Sequence, residues 1–128
     1  MAEIEVELSR IIIDEATDQQ VIVLKEKNGS RTLPIVIGIV EIMAIDRRLK
    51  GKKALRPMTH DLLGSVIESL GAKIEKVVIS DMKNHTYYAT IHLDNKGHKS
   101  EVDSRPSDAI AVGIATKVPI FAAEHVFG

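Results

Sequence analysis

The chain has 128 residues, the length of one domain, with 45% apolar and 27% charged side chains and a formal net charge of −1. It has no cysteine and no tryptophan, which excludes a disulfide framework, a thiol nucleophile and every Cys-based zinc site. With two Tyr and two Phe, the core must be aliphatic, and no aromatic platform for stacking single-stranded nucleic acid is provided.

Residues 1–8 alternate acidic and apolar side chains, the pattern of a strand with one wet face rather than of a signal peptide. The longest apolar stretch, residues 33–40, is too short to span a bilayer. The cysteine-free composition suits a reducing cytoplasm, the expected location. Residues 21–27 and 31–37 flank Asn28-Gly29, a strong short hairpin signal. Residues 41–50 read as a helix with Ile42, Ile45 and Leu49 on one stripe, ended by Gly51. Thr59 is the expected N-cap of a second helix, with Asp61 in its first turn. Leu62, Leu63, Val66, Ile67 and Leu70 are its expected buried stripe, and Gly71 stops it.

Residues 74–81 form a β-branched strand. Tyr87, Ala89, Ile91 and Leu93 alternate with Tyr88, Thr90, His92 and Asp94 in the next. Lys96-Gly97 turns the chain into a shorter return strand, 99–103. Pro106 is placed for the first turn of a third helix, whose Ala109, Ile110, Val112, Gly113 and Ile114 give a small-residue surface for close packing. Residues 119–122 are a last extended piece. The hairpins predict an α+β fold: a mixed, mostly antiparallel sheet with about three helices packed on it, as a single domain over 1–128.

Charge is unevenly spread. Residues 47–56 hold six basic and no acidic side chains: Arg47, Arg48, Lys50, Lys52, Lys53 and Arg56. The rest of the chain has 11 basic against 18 acidic residues, a balance of −7. This run is either a solvated helix end, favoured by the helix dipole, or a track for a phosphate backbone.

Polar residues gather at two junctions. In Arg56-Pro57-Met58-Thr59-His60-Asp61, Thr59 and Asp61 have a capping role, but Arg56 and His60 do not. A helix N-terminus favours neutral imidazole, which serves as a base or metal ligand. In Asp103-Ser104-Arg105-Pro106-Ser107-Asp108, a strand runs into a helix start, where free N–H groups bind anions. Arg105 could fork onto phosphate oxygens while Asp103 or Asp108 holds a divalent cation. The alternative is an Arg–Asp pair at a capped helix start. Glu41 interrupts the apolar run 35–45, so it needs a partner such as Arg56 or Arg105, or serves as a third acidic ligand.

The segments RPMTHDLLGSVIESLGAKIEKVVI, TYYATI and DSRPSDAIAVGIATKVPIF, with LPIVIGIVEIMAI upstream, closely resemble the bifunctional nuclease domain family. The likeness is strong over residues 33–121. It implies an α+β fold, self-association, and nuclease activity on DNA and RNA assisted by Mg²⁺ or Mn²⁺. The family's polar residues fall on Glu41, Arg56, Thr59, His60, Asp61, Asp103, Arg105, Ser107 and Asp108. Departures are Val36, where the family often has Trp, and Val112-Gly113 in place of Leu-Ala. No C-terminal repair-type helical module is expected. On this reading His60, Asp61, Asp103, Arg105 and Asp108 are catalytic, and Glu41, Asp103 and Asp108 hold the metal. Arg47, Arg48, Lys52, Lys53, Arg56, Thr59 and Ser107 contact substrate. Weak, salt-dependent DNA or RNA binding and a homodimer or higher homo-oligomer are expected, with no membrane association. A non-catalytic oligomeric module and a small phosphorylated-ligand or anion-binding protein are the alternatives.

Overall fold

Period-two alternation in seven stretches of the chain becomes a seven-stranded sheet in the computed structural model, which describes residues 2–14, 16, 19–51 and 56–127. The strands are β1 (Glu3–Asp14), β2 (Gln19–Glu26), β3 (Thr32–Ile37), β4 (Lys73–Lys83), β5 (Thr86–Asn95), β6 (His98–Ser104) and β7 (Ile120–Ala123). The helices are α1 (Ile39–Leu49), α2 (Thr59–Ser69) and α3 (Pro106–Thr116), and a 3₁₀ turn, Glu124–Phe127, follows β7. The sheet order is β3-β2-β1-β7-β4-β5-β6. Among the described residues only β4 and β7 pair in parallel, so the sheet is mixed and the fold is α+β, as expected.

β1 runs past Leu8, where the sequence alternation breaks. A bulge between Leu8 and Arg10 admits one extra residue. Leu8 then faces Leu24 and Ile11 faces Ile22, so both side chains stay against the core. The β2–β3 hairpin forms, but Asn28-Gly29 is not its two-residue turn, since neither residue has a positive φ. A longer loop is closed by Glu26 N–H donating to the Arg31 carbonyl at 3.0 Å. At Gly29 a Cβ would lie 2.9 Å from the Glu26 carboxyl carbon, the far end of a flexible side chain that would have to shift. Positive φ at both central residues appears instead at Asn84-His85 (51° and 62°) and Lys96-Gly97 (52° and 91°).

The helices cover one face of the sheet. Ile22, Leu24, Ile35, Ile42, Ile45, Val77, Ile79, Ile110 and Val112 are fully buried, and each contributes ~1.5–3 kcal/mol through burial. α3 is central, with Ala109 to Gly113 all buried. At Gly113 a Cβ would lie 3.1 Å from a Val77 methyl and 3.3 Å from Ile120 Cγ1, so glycine sets how closely this helix approaches the sheet.

α2 departs from its sequence pattern. Its N-cap is Met58, with Thr59 the first helical residue, because the Asp61 carboxylate accepts the Met58 N–H at 3.1 Å. Leu62, Leu63, Val66 and Leu70 are exposed rather than buried, Leu70 by 73%, and only Ile67 of the stripe is half-buried. Leu49 at the end of α1 is exposed too. Among the described residues, no helix is long and apolar enough to cross a membrane.

Candidate functional site

The site begins where β6 gives way to α3. Arg105 is extended (φ −67°, ψ 146°), and Pro106 follows at the first helical position, where a missing N–H costs nothing. The Arg105 side chain does not cap the helix. It turns instead to Asp108, three residues on, with Nε 2.9 Å from Oδ2. His60, in the first turn of α2, supplies the second partner: its Nε2 lies 3.2 Å from Asp108 Oδ1. Two helix starts therefore meet at one carboxylate, each presenting the positive end of its dipole.

Burial works to raise the pKa of Asp108. The hydrogen bonds and charges of Arg105 and His60 outweigh it, and the carboxyl titrates below the ordinary aspartate value. Asp108 is thus ionised at neutral pH and can only accept hydrogen bonds. Because an ionised Asp108 oxygen can only accept, the proton between the two groups sits on His60 Nε2, and in the neutral tautomer that this selects Nδ1 carries the lone pair. A carboxylate that fixes a histidine tautomer in this way is a recurrent feature of general-base sites.

Beside this cluster lies an open cleft of ≈590 Å³. The edge strand β3 forms one wall, through Pro34 and Val36; the β4–β5 turn forms another, through His85 and Tyr87; Arg105 to Ser107 close one end. Ser107 is buried, with 7% exposure. Its hydroxyl donates to no group among the described residues. Burial raises the pKa of Tyr87, so its phenol remains protonated.

The structure brings together His60, Arg105 and Asp108, with Ser107 one residue away. It places Asp103 elsewhere. Asp103 pairs with Thr90 while Ser104 pairs with buried Ala89, and paired residues share a face. Asp103 therefore lies on the face of the sheet away from α3. Asp61 serves the α2 cap. Thr59, Arg47 and Arg56 are exposed. Lys50 of the basic run pairs with Asp46 at 2.9 Å. Lys52 and Lys53, and the side chains of Glu41 and Arg48, lie outside the described residues. Among the described residues, no group of three or more His, Asp or Glu side chains could hold a metal ion. Both Asp108 oxygens are already engaged by His60 and Arg105.

His85 and Tyr87 are cleft residues that sequence patterning passed over. A signal was present: a two-residue link between strands forces positive φ, and Asn84-His85 supplies no glycine to adopt it.

Comparison with known proteins adds to this geometry. The bifunctional nuclease domain matches residues 22–128 of the chain. An uncharacterised protein of Mycobacterium tuberculosis is 38% identical over 122 residues, which cover 95% of this chain and 73% of that protein. Bifunctional nuclease 2 of Oryza sativa subsp. japonica is 30% identical over 112 residues, covering 84% of this chain and 34% of the plant protein. Bifunctional nuclease 2 of Arabidopsis thaliana is 28% identical over 103 residues, covering 77% of this chain and 31% of the plant protein. The chain thus spans about a third of the plant relatives.

Proposed function

The chain belongs to the bifunctional nuclease domain family, and from that premise we propose that it hydrolyses phosphodiester bonds of DNA or RNA at the junction of α2 and α3. The observation that supports this most is the His60–Asp108–Arg105 constellation at two converging helix starts. Arg105 and the first turn of α3 hold a phosphate, since guanidinium and helix N–H groups both favour anions. Asp108 keeps the His60 proton on Nε2, so Nδ1 takes the proton of an attacking water. Water oxygen bonds to phosphorus as the ester P–O bond breaks, the leaving oxygen takes a proton from solvent, and the products are a phosphomonoester and an alcohol.

On this reading Mg²⁺ or Mn²⁺ assists cleavage, although no cluster of His, Asp or Glu side chains among the described residues would hold the ion by itself. The exposed basic side chains Arg47 and Arg56 make nucleic-acid binding weak and salt-dependent. A second copy of the chain covers the apolar face of α2, because Leu62, Leu63, Val66 and Leu70 are exposed together. Val66→Asp then yields monomers by light scattering; a parent protein that already scatters as a monomer refutes the homo-oligomer. A cysteine-free chain suits work in the cytoplasm.

The deciding experiment is cleavage of single-stranded RNA and DNA with Mg²⁺, Mn²⁺ or EDTA. Folded His60→Ala, Arg105→Ala and Asp108→Asn proteins are run beside the parent. Cleavage that these substitutions abolish supports the assignment. Cleavage indifferent to them, or none at all, leaves the cluster as a non-catalytic clamp between α2 and α3, a reading favoured by the full satisfaction of both Asp108 oxygens.

A further inference from the structure

We propose that the cleft between the edge of β3 and the start of α3 holds one unstacked nucleotide, with its phosphate at Ser107 and its base against β3 and Tyr87. This deepens the nuclease reading by naming the substrate as a single-stranded end or a free mononucleotide. Three observations support it. The volume of ≈590 Å³ falls within the range of about 300–1,000 Å³ that holds small ligands. Ser107 is more than nine-tenths buried, lines the cleft and donates to nothing among the described residues. Among the described residues no buried side-chain oxygen lacks a partner, so the Ser107 hydroxyl opens onto the cleft, where it can donate to a bound oxygen without giving up an internal hydrogen bond. It stands at the N-terminal turn of α3 beside Arg105, so the ligand group it suits is an anion.

The rest of the cleft suits a flat heterocycle. Pro34, Val36, Tyr87 and Pro106 provide apolar walls. Among the described residues β3 is a sheet edge, hydrogen-bonded only to β2. Alternate residues of an edge strand turn their N–H and C=O groups outward, where a base edge can meet them. Pro34 has no N–H, so Val36 is the donor nearest the middle of the strand. His85, held at φ 62° in the β4–β5 turn, lines the cleft beside Tyr87. Such a site admits a splayed base and refuses a stacked pair.

The test is calorimetric titration of the whole protein with a nucleoside monophosphate, the matching nucleoside and inorganic phosphate. A 5′-phosphorylated single-stranded tetranucleotide and the same sequence as a duplex complete the series. The monophosphate and the single strand are expected to bind at least about tenfold more tightly than nucleoside, phosphate or duplex. Ser107→Ala should weaken the monophosphate about tenfold, the loss of one hydrogen bond to a charged group, without lowering the melting temperature. Equal affinity for inorganic phosphate overturns the base half, equal affinity for the duplex overturns the single-nucleotide fit, and an unaffected Ser107→Ala protein overturns the phosphate position. Monophosphate binding without any cleavage supports the pocket and refutes only the nuclease reading. Cleavage without monophosphate binding refutes the pocket alone.

Discussion

Asp108→Asn separates chemistry from architecture. The substitution keeps an acceptor oxygen but removes the charge, and amide nitrogen replaces one of the two oxygens now held by Arg105 and His60. The Arg105 side chain is 66% exposed, so that pair contributes no more than ~0.5 kcal/mol. The His60 side chain is only 17% exposed, and its hydrogen bond contributes ~1 kcal/mol. Loss of the carboxylate from the first turn of α3 removes a further ~0.5 kcal/mol of dipole interaction. The sum is about 1–2 kcal/mol, or about 3–10 °C in melting temperature for a chain of this size. A typical domain keeps several kcal/mol in reserve, so the variant stays folded at 25 °C. Cleavage, in contrast, should fall by about 10²-fold or more if Asp108 sets the His60 tautomer. The pH dependence has a definite sign. The Asp108 carboxyl is depressed in the folded chain, so its stabilisation is present above the ordinary aspartate pKa of about 4 and is lost as pH falls through the folded value. The melting difference between parent and variant should therefore shrink in acid. Cleavage within about twofold of the parent, from a variant that melts several degrees lower, would refute the general-base role.

Other outcomes follow from the packing and the charges. Gly64→Ala places a methyl 2.9 Å from Thr116 Cγ2 across the α2–α3 contact; denaturant melts should show a loss of about 1–3 kcal/mol, and adding Thr116→Ser, which removes that methyl and keeps the hydroxyl bonded to Val112, should restore it. Arg31 bridges Glu26 and Glu124 at 2.7 Å each, and its hydrogen bonds lower both carboxyl pKa values; Arg31→Gln should destabilise at neutral pH, with the difference vanishing as pH drops below the glutamate range. If Arg47 and Arg56 touch the backbone, reversing either to Glu should flatten the dependence of log affinity on log salt by about one unit; a slope unchanged in both variants removes the basic run from the interface.

Much of the element order was legible because period two and period 3.6 are local properties. Pro106 and Gly51 marked a helix start and a helix end through their own backbone limits. The cluster of Arg105, Ser107 and Asp108 was legible as well, since one helix turn holds all three. The β1 bulge was not: it takes β2 to show that Leu8 and Ile11 share a face. Neither was the Met58 cap, decided by the reach of Asp61. The exposure of α2 contradicts its own apolar pattern, because a stripe records what a helix can bury and not what lies opposite it in one chain.

By itself, the sequence determined the α+β class, the order of strands and helices, and the residue types that could handle a phosphate. Only the tertiary structure decided which of them meet. His60 and Asp108 stand 48 positions apart in the chain and 3.2 Å apart in space, while Asp103, five residues from Asp108, faces the other side of the sheet. Local spacing fixes the face of an element, but convergence of side chains from different elements depends on how the sheet and helices pack, which no periodicity in the chain encodes.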